Sequence, residues 1–158
     1  RNTGASLSPF NAWVLSKSLE TLAVRVDRHC DNAFTIAEKL EVSQNINWVK
    51  YPFLKSHPQY ALAKKQMLKG GNIIAFELIG GLEAGQNFIN AIELCSLSSN
   101  LGDSRTIITH PASTTHSKLT KEDRMAVGIT DGMIRLSRGL EHPEDIWNDL
   151  KNALSKIG

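Results

Sequence analysis

The stretch GGNIIAFELIGG, residues 70–81, carries the clearest structural signal in the chain. Branched and aromatic residues run between two glycine pairs, and this pattern predicts a buried strand over residues 73–79. A shorter strand over 46–51 and a helix over 58–67 precede it, and an amphipathic helix over 82–94 follows. The order of strand, helix, strand and helix predicts an α/β body.

The second half of the chain continues this alternation. RTIIT, residues 105–109, and MIRLS, residues 133–137, predict two more strands, with a polar loop and a short helix capped by Thr120 between them. Pro143 occupies a first helical turn and opens a C-terminal helix. The predicted fold class is therefore α/β (α+β), a small, mainly antiparallel sheet with helices packed on it.

The N-terminal part predicts one long helix, either straight or bent near its middle. Ser8 and Pro9 form a start signal, and apolar residues then recur at steps of three and four as far as Leu40. At about 1.5 Å per residue, a helix over 8–40 spans about 48 Å, which suits a connection between two bodies better than a simple bundle. The first residues, RNTGASLSP, lack a Met and resemble the middle of a loop. We expect residues 1–158 to be one domain of a longer protein, with 8–40 as a connecting helix and 45–158 as the α/β body.

Charge and cysteine content exclude several classes of function. Lys plus Arg number 18 and Asp plus Glu 16, and no basic cluster is interleaved with aromatic residues, so we expect no nucleic-acid partner. No apolar run approaches the roughly 20 residues that span a bilayer, so we expect no membrane partner. Cys30 and Cys95 lack metal-ligand spacing and are expected to be free buried thiols in a cytoplasmic protein, although a disulfide between them stays open.

Arg135 lies between Ile134 and Leu136 in an apolar strand. Alternation places Arg135 and Ser137 on the face opposite those two side chains. A guanidinium in such a strand needs an anion, and its planar fork fits a carboxylate. The partner is either the carboxylate of a substrate or an internal acidic residue.

Two polar loops are further candidates. Asn100-Leu101-Gly102-Asp103 permits close approach of a ligand to the backbone, although most such loops are plain turns. The loop His110–Ser117 is rich in hydroxyls, but its two histidines do not have zinc spacing, so no metal is expected. A nucleophile system of Ser113, His116 and Asp131 is formally possible without a supporting GxSxG motif.

Five ordered segments carry a resemblance to a known family: GASLSPFNAWVLSKSLETLAVRVDRH, SHPQYALAKKQ, GGNIIAFELIGG, SNLGDSRTIITHPASTTHS and GITDGMIRLSRGLEHPEDIWNDLKNAL. Together they resemble the C-terminal domain of the fold-type-I pyridoxal-phosphate (PLP) enzymes of cysteine and methionine metabolism. Within that family, NLGD with THPASTTH, and LSPFNAW with SHPQ, are most similar to the O-succinylhomoserine sulfhydrylases. Cystathionine γ-synthases, O-acetylhomoserine sulfhydrylases and methionine γ-lyases are the alternatives, and a non-enzymatic carboxylate-binding module is the alternative of another class.

The resemblance implies a role for two residues. The arginine of the family's RLS strand, here Arg135, binds the α-carboxylate of the amino-acid substrate, and Asn100 lines the same pocket. Arg138 departs from the small apolar residue that usually follows RLS.

The resemblance also implies what lies upstream of this chain. The lysine that binds PLP as a Schiff base, the phosphate-binding segment, and the aspartate and tyrosine that hold the ring precede RNTGASLSP in the family. We therefore expect no catalytic and no cofactor-binding residue here, no cofactor on the isolated chain, and no activity without the upstream domain. In the full-length enzyme we expect PLP, sulfide as second substrate, the PLP-binding domain of the same chain and a homotetramer.

Overall fold

The computed structural model describes residues 6–157 and shows a mixed α/β fold. Its helices are α1 (Pro9–Leu19), α2 (Leu22–Glu41), α3 (Tyr60–Gln66), α4 (Gly81–Asn90), α5 (Lys121–Ala126) and α6 (Pro143–Leu154). Its strands are β1 (Ile46–Lys50), β2 (Ile73–Leu78), β3 (Ser96–Leu97), β4 (Ile107–Thr109) and β5 (Met133–Ser137). One turn of 3-10 helix, Pro111–Ser113, follows β4.

The five strands form one sheet in the order β1-β2-β5-β4-β3. All neighbours are antiparallel except β3 and β4, which are parallel. The predicted, mainly antiparallel sheet is thus confirmed. In the centre of the sheet, Arg135 lies opposite Ala75 on one side and Thr109 on the other.

The core lies on one face of the sheet, where α2, α4 and α6 pack. Inward side chains of β2 and β5 alternate with half-buried ones, as the sequence pattern predicted. Phe76 meets Phe88 edge to face, with ring centroids 5.9 Å apart. The main members of this cluster are Ala33, Ile36, Leu40, Ile74, Phe76, Phe88, Ile134, Leu136, Ile146 and Leu150. Burial of each large aliphatic or aromatic side chain contributes about 1.5–3 kcal/mol, so this face stabilises the fold.

The predicted helical segment over 8–40 is interrupted near its middle, because α1 ends at Leu19 and α2 begins at Leu22. Thr21 adopts a non-helical backbone with φ −105° and ψ 7°. The Arg25 guanidinium donates from Nη2 to the carbonyl oxygen of Ser18 at 2.6 Å, which occupies a carbonyl that α1 leaves free at its end. The apolar periodicity continues across the break, so the sequence pattern did not show it.

The first helix presents apolar side chains that the rest of the described chain does not cover. No residue of α1 is buried, and Phe10, Trp13 and Leu19 are more than half exposed. The first helix therefore carries an apolar face that residues 6–157 leave exposed.

Candidate functional site

Arg135 is held by one nitrogen on the sheet face opposite the core. Its Nη2 donates to the carbonyl oxygens of Ser99, at 2.8 Å, and Asn100, at 3.0 Å, and reaches the Thr109 hydroxyl at 3.4 Å. Three acceptors on one nitrogen fix the direction of the guanidinium plane. The strand β5 and the segment before β4 therefore orient this side chain together.

The rest of the Arg135 guanidinium lacks partners within residues 6–157. Nε is buried without a hydrogen bond, and Nη1 makes none. No Asp or Glu side chain of the described residues lies within ion-pair distance of it. The alternative of an internal ion pair is therefore not found there. A half-buried cation with free donors has the chemistry of a carboxylate site.

Asn100 belongs to the site loop, which we define as residues 98–106 between β3 and β4. Its backbone N–H donates to the Ser98 hydroxyl at 3.3 Å, and its carbonyl accepts from Arg135. Its side chain is exposed and makes no hydrogen bond to residues 6–157. The structure thus brings Asn100 and Arg135 together through the backbone and leaves the amide of Asn100 available to a ligand.

The middle of the site loop is attached to the end of β5. Gly102 has φ +75°, a conformation that favours glycine, and its N–H donates to the Ser137 hydroxyl at 2.9 Å. Asn72 also donates to that hydroxyl, at 3.2 Å. Strand alternation had placed Ser137 on the face of Arg135, but the sequence did not reveal that it fastens the loop.

The loop His110–Ser117 is organised around a buried histidine. Nε2 of His110 lies 2.8 Å from the carbonyl oxygen of Asp131, and Nδ1 lies 2.8 Å from the Ser113 hydroxyl. A carbonyl can only accept, so Nε2 carries the hydrogen and Nδ1 accepts from Ser113. Burial lowers the pKa of His110, which keeps the ring neutral.

The Ser113, His116 and Asp131 combination is not assembled. The Ser113 hydroxyl contacts His110, whereas His116 contacts the Thr115 hydroxyl at 2.8 Å. The Asp131 carboxylate is paired with two cations, Lys121 at 2.8 Å and Arg124 at 2.7 Å. The formally possible nucleophile system is therefore not present, and this loop is held by its own polar groups.

The described residues offer no other reactive centre of the expected kinds. Cys30 and Cys95 are free and buried, as predicted, and burial raises the pKa of both thiols. No group of three or more potential metal ligands occurs in that part of the chain. Among the helices within residues 6–157, none has the length and hydropathy of a membrane span.

The residues of this site fit a carboxylate and do not fit PLP, the cofactor that the resemblance implies. Three of the six described α-helices, α4, α5 and α6, carry Glu83, Glu122 and Glu144 in the first turn, and this charge opposes a phosphate at those three helix starts. No lysine in the described range makes a hydrogen bond or ion pair with the site loop. The side chains here have the chemistry to hold a carboxylate.

Comparison with known proteins agrees with the fold. A family model described as "Cys/Met metabolism PLP-dependent enzyme" matches residues 1–155. L-methionine gamma-lyase of Porphyromonas gingivalis is 51% identical over 155 residues, which is 98% of this chain and 39% of that protein. O-succinylhomoserine sulfhydrylase of Mycobacterium tuberculosis is 45% identical over 159 residues, and the match covers 98% of this chain and 39% of that protein. The chain spans about two fifths of the length of these relatives.

A solved structure extends the similarity to three dimensions. The putative O-acetylhomoserine (thiol)-lyase of Campylobacter jejuni, solved with N'-pyridoxyl-lysine-5'-monophosphate, superposes with a TM-score of 0.89 at 43% identity. The match covers 98% of this chain and 37% of that structure. The chain therefore belongs to the family of PLP-dependent enzymes of cysteine and methionine metabolism.

Proposed function

We propose that this chain is the substrate-carboxylate-binding domain of a PLP-dependent O-succinylhomoserine sulfhydrylase. In this proposal, the PLP-binding domain of the same polypeptide supplies the cofactor, and sulfide replaces the succinyl group to form homocysteine. The family relationship supports the chemistry of the whole enzyme, and the resemblance of NLGD and THPASTTH to the sulfhydrylases supports the choice of member. We further propose a cytoplasmic homotetramer for the full-length enzyme.

The observation that carries the proposal is the partly satisfied guanidinium of Arg135. Nη2 donates to two backbone carbonyls and one hydroxyl, while Nε and Nη1 have no hydrogen-bond partner in the described chain. A planar carboxylate accepts two parallel hydrogen bonds from such a fork. An amino-acid substrate bound in this way supplies the negative charge that the half-buried cation lacks.

Asn100 complements Arg135 in this role. Its carbonyl keeps the guanidinium in place, and its exposed amide donates hydrogen bonds without giving up an internal partner. Together the two residues orient the substrate by its carboxylate, and the proposal assigns no bond-making step to this chain.

A second candidate is a methionine γ-lyase, because the lyase of Porphyromonas gingivalis is more similar to this chain than the sulfhydrylase of Mycobacterium tuberculosis, at 51% against 45% identity. The two activities differ in whether a second substrate is needed. A lyase releases methanethiol from methionine alone, whereas a sulfhydrylase needs an activated homoserine and sulfide.

The test is a matched pair of assays on the full-length PLP-loaded enzyme. We expect homocysteine from O-succinylhomoserine plus sulfide, and slower turnover with O-acetylhomoserine or with cysteine as the second substrate. Methanethiol from methionine at a higher kcat/KM would instead establish the lyase. Cystathionine as the main product with cysteine would establish a cystathionine γ-synthase.

The non-enzymatic alternative is tested with the 158-residue chain alone. A free-standing binding module predicts saturable binding of a small carboxylate, for example propionate, that is lost in Arg135→Ala. A domain that needs the rest of the enzyme to complete its pocket predicts no such binding at comparable concentration. Isothermal titration calorimetry of the original chain and of Arg135→Ala with propionate separates the binding module from the incomplete domain.

A further inference from the structure

Arg138 is an arginine at an unusual location, three residues after Arg135 at the end of β5. Its side chain is fully buried, the largest in the described chain to be so. Burial lowers its pKa to about 10, and the charge of Glu141 opposes this effect, so the group stays charged at neutral pH. Nε and Nη2 have no hydrogen-bond partner within residues 6–157. A buried cation with two unpaired donors lowers the stability of the fold. Stabilisation therefore does not explain why an arginine occupies this position.

Within residues 6–157, the one hydrogen-bond partner of the Arg138 side chain is the hydroxyl of Thr106, to which Nη1 donates at 2.5 Å. That hydroxyl also accepts from the N–H of Gly139 at 3.0 Å and donates to Glu141 at 2.8 Å. Glu141 accepts in addition from the Thr106 N–H at 2.6 Å. The opposite charges of Arg138 and Glu141 therefore meet on one threonine, whose hydrogen-bonding capacity is fully used.

Thr106 is the last residue of the site loop, so this arrangement fastens the loop at its C-terminal end. Two residues before Thr106, the carbonyl of Ser104 accepts from the N–H of Leu140 at 2.8 Å. Ser137 holds the middle of the loop through Gly102, and Arg135 holds its beginning. The loop is thus attached at three successive places, by Arg135 and Ser137 of β5 and by Arg138 directly after it.

We propose that Arg138 is a positioning residue for the carboxylate site, which fixes the end of the site loop through Thr106 and so keeps the carbonyls of Ser99 and Asn100 aligned on Arg135. This inference rests on the proposed binding of the substrate carboxylate by Arg135. Arg138 touches neither substrate nor cofactor in this account, and its effect reaches the substrate through the loop.

A purely structural role and a positioning role predict different results for Arg138→Met. Replacement of a buried charge by an apolar side chain of similar length often leaves stability unchanged or raises it. If Arg138 positions the loop, the variant keeps its unfolding midpoint and still binds the amino acid more weakly. The matched control is Lys65→Met, because Lys65 is an exposed cation on α3, away from Arg138 and the site loop.

The experiment measures kcat and KM for the amino-acid substrate in the full-length enzyme, together with amide hydrogen exchange of the site loop. For Arg138→Met we expect KM to rise about three- to tenfold with kcat changed less than about twofold, because binding is lost and chemistry is not. Exchange at Gly102 is expected to be faster, while Ile74 in β2 keeps its protection. Arg138→Lys retains a donor for Thr106, and we expect an intermediate KM.

Two outcomes overturn the inference. One is an unchanged KM in Arg138→Met, and the other is a loss of Ile74 protection equal to that of Gly102, which indicates general destabilisation. If Arg138→Met does not fold, Arg138→Lys decides the question by the same two readouts. Arg135→Lys, assayed in parallel, separates a failure of the proposed function from a failure of this inference. An unchanged KM in Arg135→Lys contradicts the proposed function, whereas a raised KM there with none in the Arg138 variants contradicts only this inference.

Discussion

The guanidinium of Arg135 donates from Nη2 to the backbone carbonyl of Asn100 at 3.0 Å. The two residues are 35 positions apart in the sequence, and the contact joins β5 to the site loop. It uses the backbone of Asn100 and leaves its side chain exposed. The carbonyl of Asn100 therefore orients the arginine, and the proposed function gives its exposed amide a second role, which is to meet a ligand.

Asn100→Ala tests the second of these roles. The substitution removes the amide and keeps the carbonyl that holds Arg135, so we expect the free energy of unfolding to change by less than about 0.5 kcal/mol. In the full-length enzyme we expect KM for the amino-acid substrate to rise about three- to tenfold, the effect of one lost hydrogen bond to a charged group. Steady-state kinetics and urea unfolding measure the two quantities. An unchanged KM would remove the Asn100 side chain from the site.

Asp149 of α6 is predicted to be a major stabilising polar residue. Its carboxylate accepts from the backbone N–H groups of Glu93, Leu94 and Cys95 at 2.9, 3.1 and 2.9 Å. Asp149→Ala leaves three N–H groups without their acceptor, and we expect a loss of about 3 kcal/mol in the free energy of unfolding. Asn148→Ala, an exposed position on the same helix, is the control and should change little. Equal urea midpoints for the two variants would contradict this reading.

The stability of the fold is expected to depend on pH through His110. Burial lowers the pKa of this ring below its ordinary 6.5, although the carbonyl and charge of Asp131 act in the opposite direction. The unfolded chain then binds the proton more tightly than the folded chain does, so protonation favours unfolding. The contribution of neutral His110 is complete above about pH 6.5 and is lost as the pH falls through the folded pKa.

The measurement is the free energy of unfolding at several values between about pH 7.5 and pH 5. His110→Gln keeps a donor for the Asp131 carbonyl and removes the titrating ring. We expect this variant to be less stable at high pH and to have a flatter pH dependence. A slope identical to that of the original chain would exclude His110 as its source.

The exposed apolar side chains of α1 predict self-association of the 158-residue chain. Phe10, Trp13 and Leu19 are 68%, 59% and 65% exposed, and adjacent apolar groups of this kind favour association in water. We expect sedimentation velocity to show a dimer or larger species that Trp13→Glu returns to a monomer. Ser16→Glu adds the same charge at an exposed polar position of α1 and should leave the association intact. A monomer at all concentrations would contradict this prediction.

The central part of the fold could be predicted because its pattern is local. In β5, Ile134 and Leu136 alternate with Met133 and Arg135, and this alone identified the strand, its inward face and the outward arginine. The glycine pairs around β2 marked its limits in the same way. Period-two alternation requires one buried face, and the structure provides it.

Other features depend on contacts between distant residues and left no local signal. The strand β3 has only two residues, and its existence depends on pairing with β4. The end of α1 is accompanied by a hydrogen bond from Arg25 to the Ser18 carbonyl, and this contact does not disturb the apolar periodicity.

The candidate site was predictable in its residues and not in its geometry. Arg135 was identifiable as a cation in an apolar strand, and Asn100 by its place in the NLGD segment. The attachments of the site loop through Gly102 and Thr106 join parts of the chain more than 30 residues apart. Arg138 was noticeable as a departure from the family pattern, but only the fold shows that it meets Thr106.

The most direct test of the account asks whether Arg135 recognises the carboxylate itself. It compares the amino-acid substrate with its carboxamide analogue in the full-length enzyme, for the original sequence and for Arg135→Gln. We expect loss of the carboxylate charge to weaken binding about 100-fold in the original enzyme and less than about threefold in Arg135→Gln, because the charged partner is then already absent. Equal weakening in both enzymes would contradict the account and assign carboxylate recognition to another group.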